Sequence, residues 1–179
     1  MTDELHLRRA GVSDAALLAE FGARTFAETF AIDNKPEDMA AYLAGAFGES
    51  KQRAELASPA VAAFIAEIAG AIAGYALLRE GGEPEGVVRG PRPVELQRLY
   101  VDARQKGRGV AQALMAEVES EARRRGGETL WLGVWEHNPR AIAFYRKCGF
   151  ADVGTHVFQL GSDPQVDRVL AKPLVRSAS

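Results

Sequence analysis

Apolar and polar residues alternate over residues 5–8, which predicts an edge strand running toward Ser13, a residue whose hydroxyl suits a helix N-cap. From Asp14 to about Phe30, Leu17, Leu18, Phe21 and Phe26 approximate one helical face. Pro36 then suits the first turn of a second helix reaching about Phe47, with residues 31–35 as a loop between them. Residues 60–78 are apolar at every position except Glu67, a run long enough to span a bilayer, with Gly70 and Gly74 at the spacing that lets membrane helices pack. Glu67 near its centre and its many alanines favour another reading. That reading is two short buried strands, residues 61–67 and 72–78, turning at Ala69 and Gly70.

Residues 79–93 are rich in glycine and proline and predict an exposed connection. Residues 95–101 alternate as a strand and break at a basic, glycine-bearing turn, residues 104–109. A long helix follows: Val110, Leu114 and Val118 recur at i, i+4 and i+8 beside Ala111, Met115 and Ala122. Arg123, Arg124 and Arg125 complement its carbonyl end, and Gly126 and Gly127 stop it. A buried strand is expected at residues 129–135, a short helix at 139–148 and a strand at 150–160. A turn at residues 161–164 and a last strand at 166–172 lead into a tail expected to fray.

Composition narrows the classes. The chain has 179 residues, 47% hydrophobic and 26% charged, enough for one domain over residues 1–179 with a sizeable core. With 22 basic and 24 acidic side chains the formal charge is −2, so non-specific attraction to nucleic acid is not expected and any anion site must be local. The single cysteine, Cys148, excludes an intramolecular disulfide, and the histidines have no ligand spacing, so no metal is expected. Residues 1–10 are polar and read as no secretory signal. The expected setting is the reducing cytoplasm, without membrane attachment.

The turn at residues 104–109 carries chemistry. A strand feeding a glycine turn at a helix N-terminus presents unpaired N–H groups and the positive end of the helix dipole, a geometry that binds phosphates. Gly107 and Gly109 admit close backbone approach, and Arg104, Lys106 and Arg108 add charge; the bland alternative is a tight turn with a solvated basic rim. The Gly-Lys-Ser/Thr ending of nucleotide-binding loops is missing, and Gln112 stands where the dinucleotide fingerprint needs a small residue.

What the turn resembles is the coenzyme A turn of the Gcn5-related N-acetyltransferases (GNAT), Gln/Arg-x-x-Gly-x-Gly/Ala, here Lys106-Gly-Arg-Gly109-Val-Ala111 with Lys106 at the departing first position. A second block, Asn138-Pro-Arg-Ala141-Ile-Ala-Phe144-Tyr145-Arg-Lys147-Cys-Gly149-Phe150, is similar to a later motif of that superfamily. Thr25-Phe26-Ala-Glu28-Thr-Phe30, Asn34-Lys-Pro36-Glu37-Asp38-Met39, Trp131-Leu-Gly-Val-Trp135-Glu136 and the ending from His156 to Asp167 resemble the bacterial PaiA-type spermidine/spermine branch. Val166 stands where that branch usually has Thr.

The resemblance implies an α/β (α+β) fold: a mixed, mostly antiparallel seven-stranded sheet, splayed between its fourth and fifth strands and flanked by helices. It also implies acetyl-CoA as cosubstrate, held by Leu99, Tyr100, Val101, Lys106, Gly107, Arg108, Gly109, Val110, Ala111 and Gln112, and by Asn138, Ala141, Tyr145 and Lys147. Tyr145 matches the residue that protonates the departing thiolate. Glu95 is the candidate base; alternation places it on one face with Gln97, Leu99 and Val101, while Glu28, Glu136 and water are rivals. The acceptor would be a small amine, a polyamine in the PaiA branch, met by Phe26, Glu28, Phe30, Asp33, Trp135 and Glu136, with Glu37 and Asp38 adding to an acidic wall. Acetylation of another amine, an acetyl-CoA-sensing regulator, and a homodimer formed through the last strands stand as further expectations.

Overall fold

The apolar run at residues 60–78 folds as two strands, β2 (Val61–Ile68) and β3 (Ala71–Glu80), paired antiparallel across a turn at Ala69 and Gly70. Both turn residues have positive φ, 50° and 77°, as a two-residue hairpin requires. Helices cover the pair on both faces, so neither strand alternates. No helix among the described residues is long and apolar enough to cross a membrane.

The computed structural model describes residues 4–82 and 86–175. The other strands are β1 (Leu5–Arg9), β4 (Pro93–Val101), β5 (Thr129–Trp135), β6 (Ala151–Leu160) and β7 (Asp163–Pro173). They form one seven-stranded sheet in the order β1-β2-β3-β4-β5-β7-β6, antiparallel throughout except for the parallel β4–β5 pair. On one face lies α4 (Val110–Arg124), whose Val110, Leu114, Met115, Val118 and Ala122 pack on Ala76, Leu78, Val94 and Leu96. The half-buried Ile142, Phe144 and Tyr145 of α5 (Pro139–Lys147) join this core. On the other face α1 (Ala15–Phe30) sets Leu18 and Phe21 against Ile65, Tyr75 and Leu77. Beside it, α2 (Pro36–Ala46) brings Met39 to Phe26, Phe47 and Leu160.

Several boundaries differ from the sequence reading. Ser13 does not cap α1: it sits inside a 3-10 turn, Val12–Asp14, and Asp14 instead accepts from the Gly11 N–H and the Arg8 guanidinium. The expected turn at residues 161–164 shrinks to Gly161 and Ser162, because Asp163 and Pro164 already pair with Leu160 and Gln159. Pro164 is tolerated since β5 pairs with β7 only from Asp167 onward, so its missing N–H breaks no ladder there. The chain beyond β7 is docked at Leu174, whose N–H donates to Glu128 O at 2.8 Å; the rest of the tail expected to fray, residues 176–179, lies outside the described residues.

A further helix, α3 (Glu49–Ala57), has no apolar stripe, and its one buried residue is Gln52. It is held instead by Arg98 of β4, which donates to Gln52 Oε1 at 3.1 Å and to Glu55 Oε2 at 2.6 Å. Both members of the Arg98–Glu55 pair are shielded, so removing one strands the other's charge. Arg98→Met is expected to cost about 3 kcal/mol in urea unfolding, and a loss within error would show that α3 is fastened by other contacts.

Candidate active site

The site begins where the sheet stops pairing. The β4–β5 ladder holds only from Pro93↔Thr129 to Glu95↔Trp131; beyond it β4 runs on to Val101 and β5 to Trp135 without a mutual partner. The resulting slot opens into a cavity of about 630 Å³ that reaches from α1 and α2 on one face to α4 and α5 on the other.

A bulge in β4 decides what each face receives. Leu77 pairs with Arg98 and Leu78 with Leu96, which leaves Gln97 as the extra residue. The uniform alternation expected from Glu95 to Val101 therefore fails. Leu99 and Val101 turn to the α4 side with Val94 and Leu96, whereas Glu95 shares the α1 side with Arg98 and Tyr100. Burial pushes the Glu95 carboxyl up to about 7 against the nearby charges of Arg79 and Arg98, and among the described residues no donor bonds to it.

On the α4 side, Gly109 caps the helix in the left-handed region at φ 79°. The first intrahelical bond runs from Ala113 N to Gly109 O, so the N–H groups of Val110, Ala111 and Gln112 find no acceptor among the described residues. They line the cavity with Lys106 and Gly107, and a Cβ at either Gly107 or Gly109 would meet open space. Such a set of N–H groups at the start of a four-turn helix is suited to an anion. Deeper in the slot the Gln97 Oε1 is buried without a donor, beside the unpaired edge of β4. Phosphate acceptors at one end and an amide N–H donor at the other would satisfy these groups.

On α5, Asn138 acts as N-cap, its Oδ1 accepting from Ala141 N at 3.2 Å, so it has a structural task as well as a place on the cavity wall. One helical turn on from Ala141, Tyr145 packs edge-on between Phe144 and Phe150. Its hydroxyl has no partner among the described residues. Burial pushes the phenol above its ordinary value and keeps it protonated at neutral pH.

The opposite wall is aromatic. Trp135 meets Phe30, Phe30 meets Phe26, Phe26 meets Tyr42 and Tyr42 meets Phe158, with ring centroids 4.6–5.9 Å apart. Through the gap left by Gly133, His156 of β6 and Asp167 of β7 also reach the cavity. Burial raises Asp167 to about 6 and holds His156 below its ordinary value.

Of the residues expected at the site, Glu95, Leu99, Tyr100, Val101, Lys106, Gly107, Gly109, Val110, Ala111 and Gln112 line this cavity, with Asn138, Ala141 and Tyr145, and with Phe26, Phe30 and Trp135. Arg108, Lys147, Glu28, Asp33 and Glu136 do not. Arg108 donates to Gln105 and Glu28 pairs with Arg24. Asp38 is turned from the cavity by Ser162, whose N–H and hydroxyl both donate to it. The acidic wall expected near Asp33 is therefore absent from the cavity lining, which takes its carboxylates from Glu95 and Asp167. Tyr42, His156, Phe158 and Asp167 were given no binding role by sequence reasoning, although the ending that resembles the PaiA branch contains three of them.

Comparison with known proteins agrees with this geometry. The Acetyltransferase (GNAT) family matches residues 25–150. An N-acetyltransferase from Lactobacillus delbrueckii subsp. lactis is 38% identical over 84% of this chain and 87% of its own length. One from Mycobacterium tuberculosis is 35% identical over 92% of this chain and 100% of its own. The fold is shared with a PaiA N-acetyltransferase from Thermoplasma acidophilum in complex with coenzyme A, at TM-score 0.75 and 18% identity over 95% of this chain and 99% of that one, a likeness of fold alone. With well over half of its length matched, this chain belongs to the Acetyltransferase (GNAT) family.

Proposed function

We propose that this chain transfers the acetyl group of acetyl-CoA to a primary amine, with a polyamine as the acceptor. The observation that carries the reading is the slot between β4 and β5, which joins an anion cradle on one face of the sheet to a carboxylate-bearing aromatic wall on the other. Lys106 and the N–H groups of Val110, Ala111 and Gln112 fit the coenzyme pyrophosphate, and the free edge of β4 at Leu99 and Val101 fits the pantetheine amides. Acetyl-CoA supplies an activated thioester. A β4 N–H near Leu99 or Tyr100 would polarise its carbonyl oxygen.

An alkyl amine has a pKa of about 10.4 and arrives protonated at neutral pH. Glu95, with a carboxyl near 7, is matched to take that proton and stands on the acceptor face. The freed nitrogen forms the new bond to the acetyl carbon as the carbon–sulfur bond breaks. Tyr145, on the coenzyme face and still protonated, gives its proton to the departing sulfur, and the second proton shed by the newly acylated nitrogen passes through solvent to restore the phenol. The bulge at Gln97 turns Glu95 away from the face of Leu99 and Val101, and this supports a base at Glu95 acting from the opposite side of the slot to an acid at Tyr145 on α5.

Coenzyme release assayed with spermidine, spermine, a peptide bearing a free N-terminus and an aminoglycoside tests the acceptor. The expected result is turnover with both polyamines at the highest kcat/KM of the panel. Turnover confined to the peptide or the aminoglycoside would contradict the polyamine assignment and leave amine acetylation standing.

A further inference from the structure

The transfer chemistry leaves one carboxylate in the cavity without a task. Asp167 is 8% exposed, and no group among the described residues hydrogen-bonds to it. His156 lies beside it, with Nε2 3.7 Å from Oδ2, too long for a hydrogen bond. The two residues face each other across the β6–β7 ladder and lean over β5 at Gly133. A Cβ at Gly133 would stand 2.8 Å from His156 Nε2 and 3.2 Å from Asp167 Oδ2, so glycine there is what lets this pair reach the cavity.

An isolated buried carboxylate is costly unless a cation meets it. The surroundings suit an organic cation. Tyr42 and Phe158 stand 5.2 Å apart by ring centroid on the same wall, Trp135 lies directly across from Asp167 in the β5–β7 register, and ring faces attract ammonium groups. The charge of Asp167 reaches the Tyr42 phenol, where after burial and against Arg98 it adds to the resistance to ionisation.

Asp167 is also set apart from the base. Glu95 pairs with Trp131, whereas the Asp167 carboxylate lies over Gly133, two residues further along β5 or roughly 7 Å by strand rise. The divergence of β4 from β5 adds to that separation. One ammonium cannot contact both carboxylates, but a chain with a nitrogen at each end can.

We propose that Asp167, with His156 and the aromatic wall, binds the second, non-reacting ammonium of a diamine whose other nitrogen is presented to Glu95. This rests on the amine-acetylation reading and specifies what kind of amine is selected. It also distinguishes the site from one for simple monoamines, in which Asp167 would remain buried without a cation.

The test is calorimetric titration of putrescine and of its monoamine counterpart n-butylamine into the full chain saturated with coenzyme A, a complex that cannot turn over. Putrescine is expected to bind at least about tenfold more tightly. Asp167→Asn, nearly isosteric, should erase that preference while leaving n-butylamine and coenzyme A affinities unchanged; Gly133→Ala, which crowds the His156–Asp167 pair, should reduce it independently. Equal binding of the two amines by the wild-type chain, or an undiminished preference in a folded Asp167→Asn, would overturn the proposal. Asp167-dependent putrescine binding without any acetylation would uphold this subsite and refute the proposed transfer. Indiscriminate acetylation of n-butylamine and putrescine would do the reverse.

Discussion

Tyr145→Phe is expected to lower kcat about 10²-fold while leaving the affinity for acetyl-CoA unchanged. The substitution removes one hydroxyl and keeps the ring that packs with Phe144 and Phe150, so neither α5 nor the core beneath it should be disturbed. The hydroxyl matters because burial raises the phenol above its ordinary value and keeps it protonated at neutral pH, so that it could serve the departing sulfur as a proton source. Steady-state kinetics for kcat, and calorimetry for binding, separate the two effects. A variant with full turnover would mean that the departing sulfur takes its proton from solvent.

Glu95→Gln should reduce kcat/KM by a similar factor near pH 8 and should also change the shape of the pH profile. Burial raises this carboxyl from its ordinary 4.5 to about 7, so the form able to accept a proton accumulates only above that pH. The wild-type rate should accordingly fall on the acid side of about 7, a step that the variant lacks. The residual activity of Glu95→Gln should instead climb toward the amine's own pKa of about 10.4. Stability moves the other way. A carboxyl whose folded value is raised favours the folded state below 4.5 and loses that contribution as pH rises to about 7, so Glu95→Gln should gain stability relative to wild type at pH 8 and not at pH 4. A wild-type profile without the step near 7 would assign the base to water or to another group.

Much of the fold was legible because hydrophobic period and glycine punctuation agreed. The strand at residues 129–135 and the helix beginning at Val110 fall where the pattern puts them, since a nearly unbroken apolar run and an i, i+4, i+8 stripe each have one favourable placement. The helix α3 was invisible for a physical reason. Its sequence buries an amide and a carboxylate against Arg98 rather than an apolar face, and periodicity cannot report an ion pair formed with a strand some 40 residues away. The β4 bulge was equally hidden: alternation read through Gln97 puts Glu95 and Leu99 on one face, and only the pairing with β3 shows that they part.

The candidate site divides along the same line. The glycine turn and the Asn138-to-Phe150 block are local, so the resemblance that names their residues could be read within a single window each. The acceptor wall is not local. Glu28, Asp33 and Glu136 were expected there because they are acidic and the resemblance puts the acceptor beside them, yet none lines the cavity. Asp167 and His156 come together through strand register and reach the cavity through the absence of a side chain at Gly133, a relation no window of sequence contains.

The central claim is direct transfer from acetyl-CoA to an amine held on the other side of the slot. It is tested most directly by measuring free coenzyme thiol and acetylated amine together, with the purified chain, acetyl-CoA and spermidine, alongside intact protein mass in the absence of amine. The account predicts equal amounts of thiol and acetylspermidine, formed only when both substrates are present, and an unmodified protein mass with acetyl-CoA alone. Acetyl-protein appearing before amine is added, or acetyl-CoA bound without transfer to any amine, would contradict it.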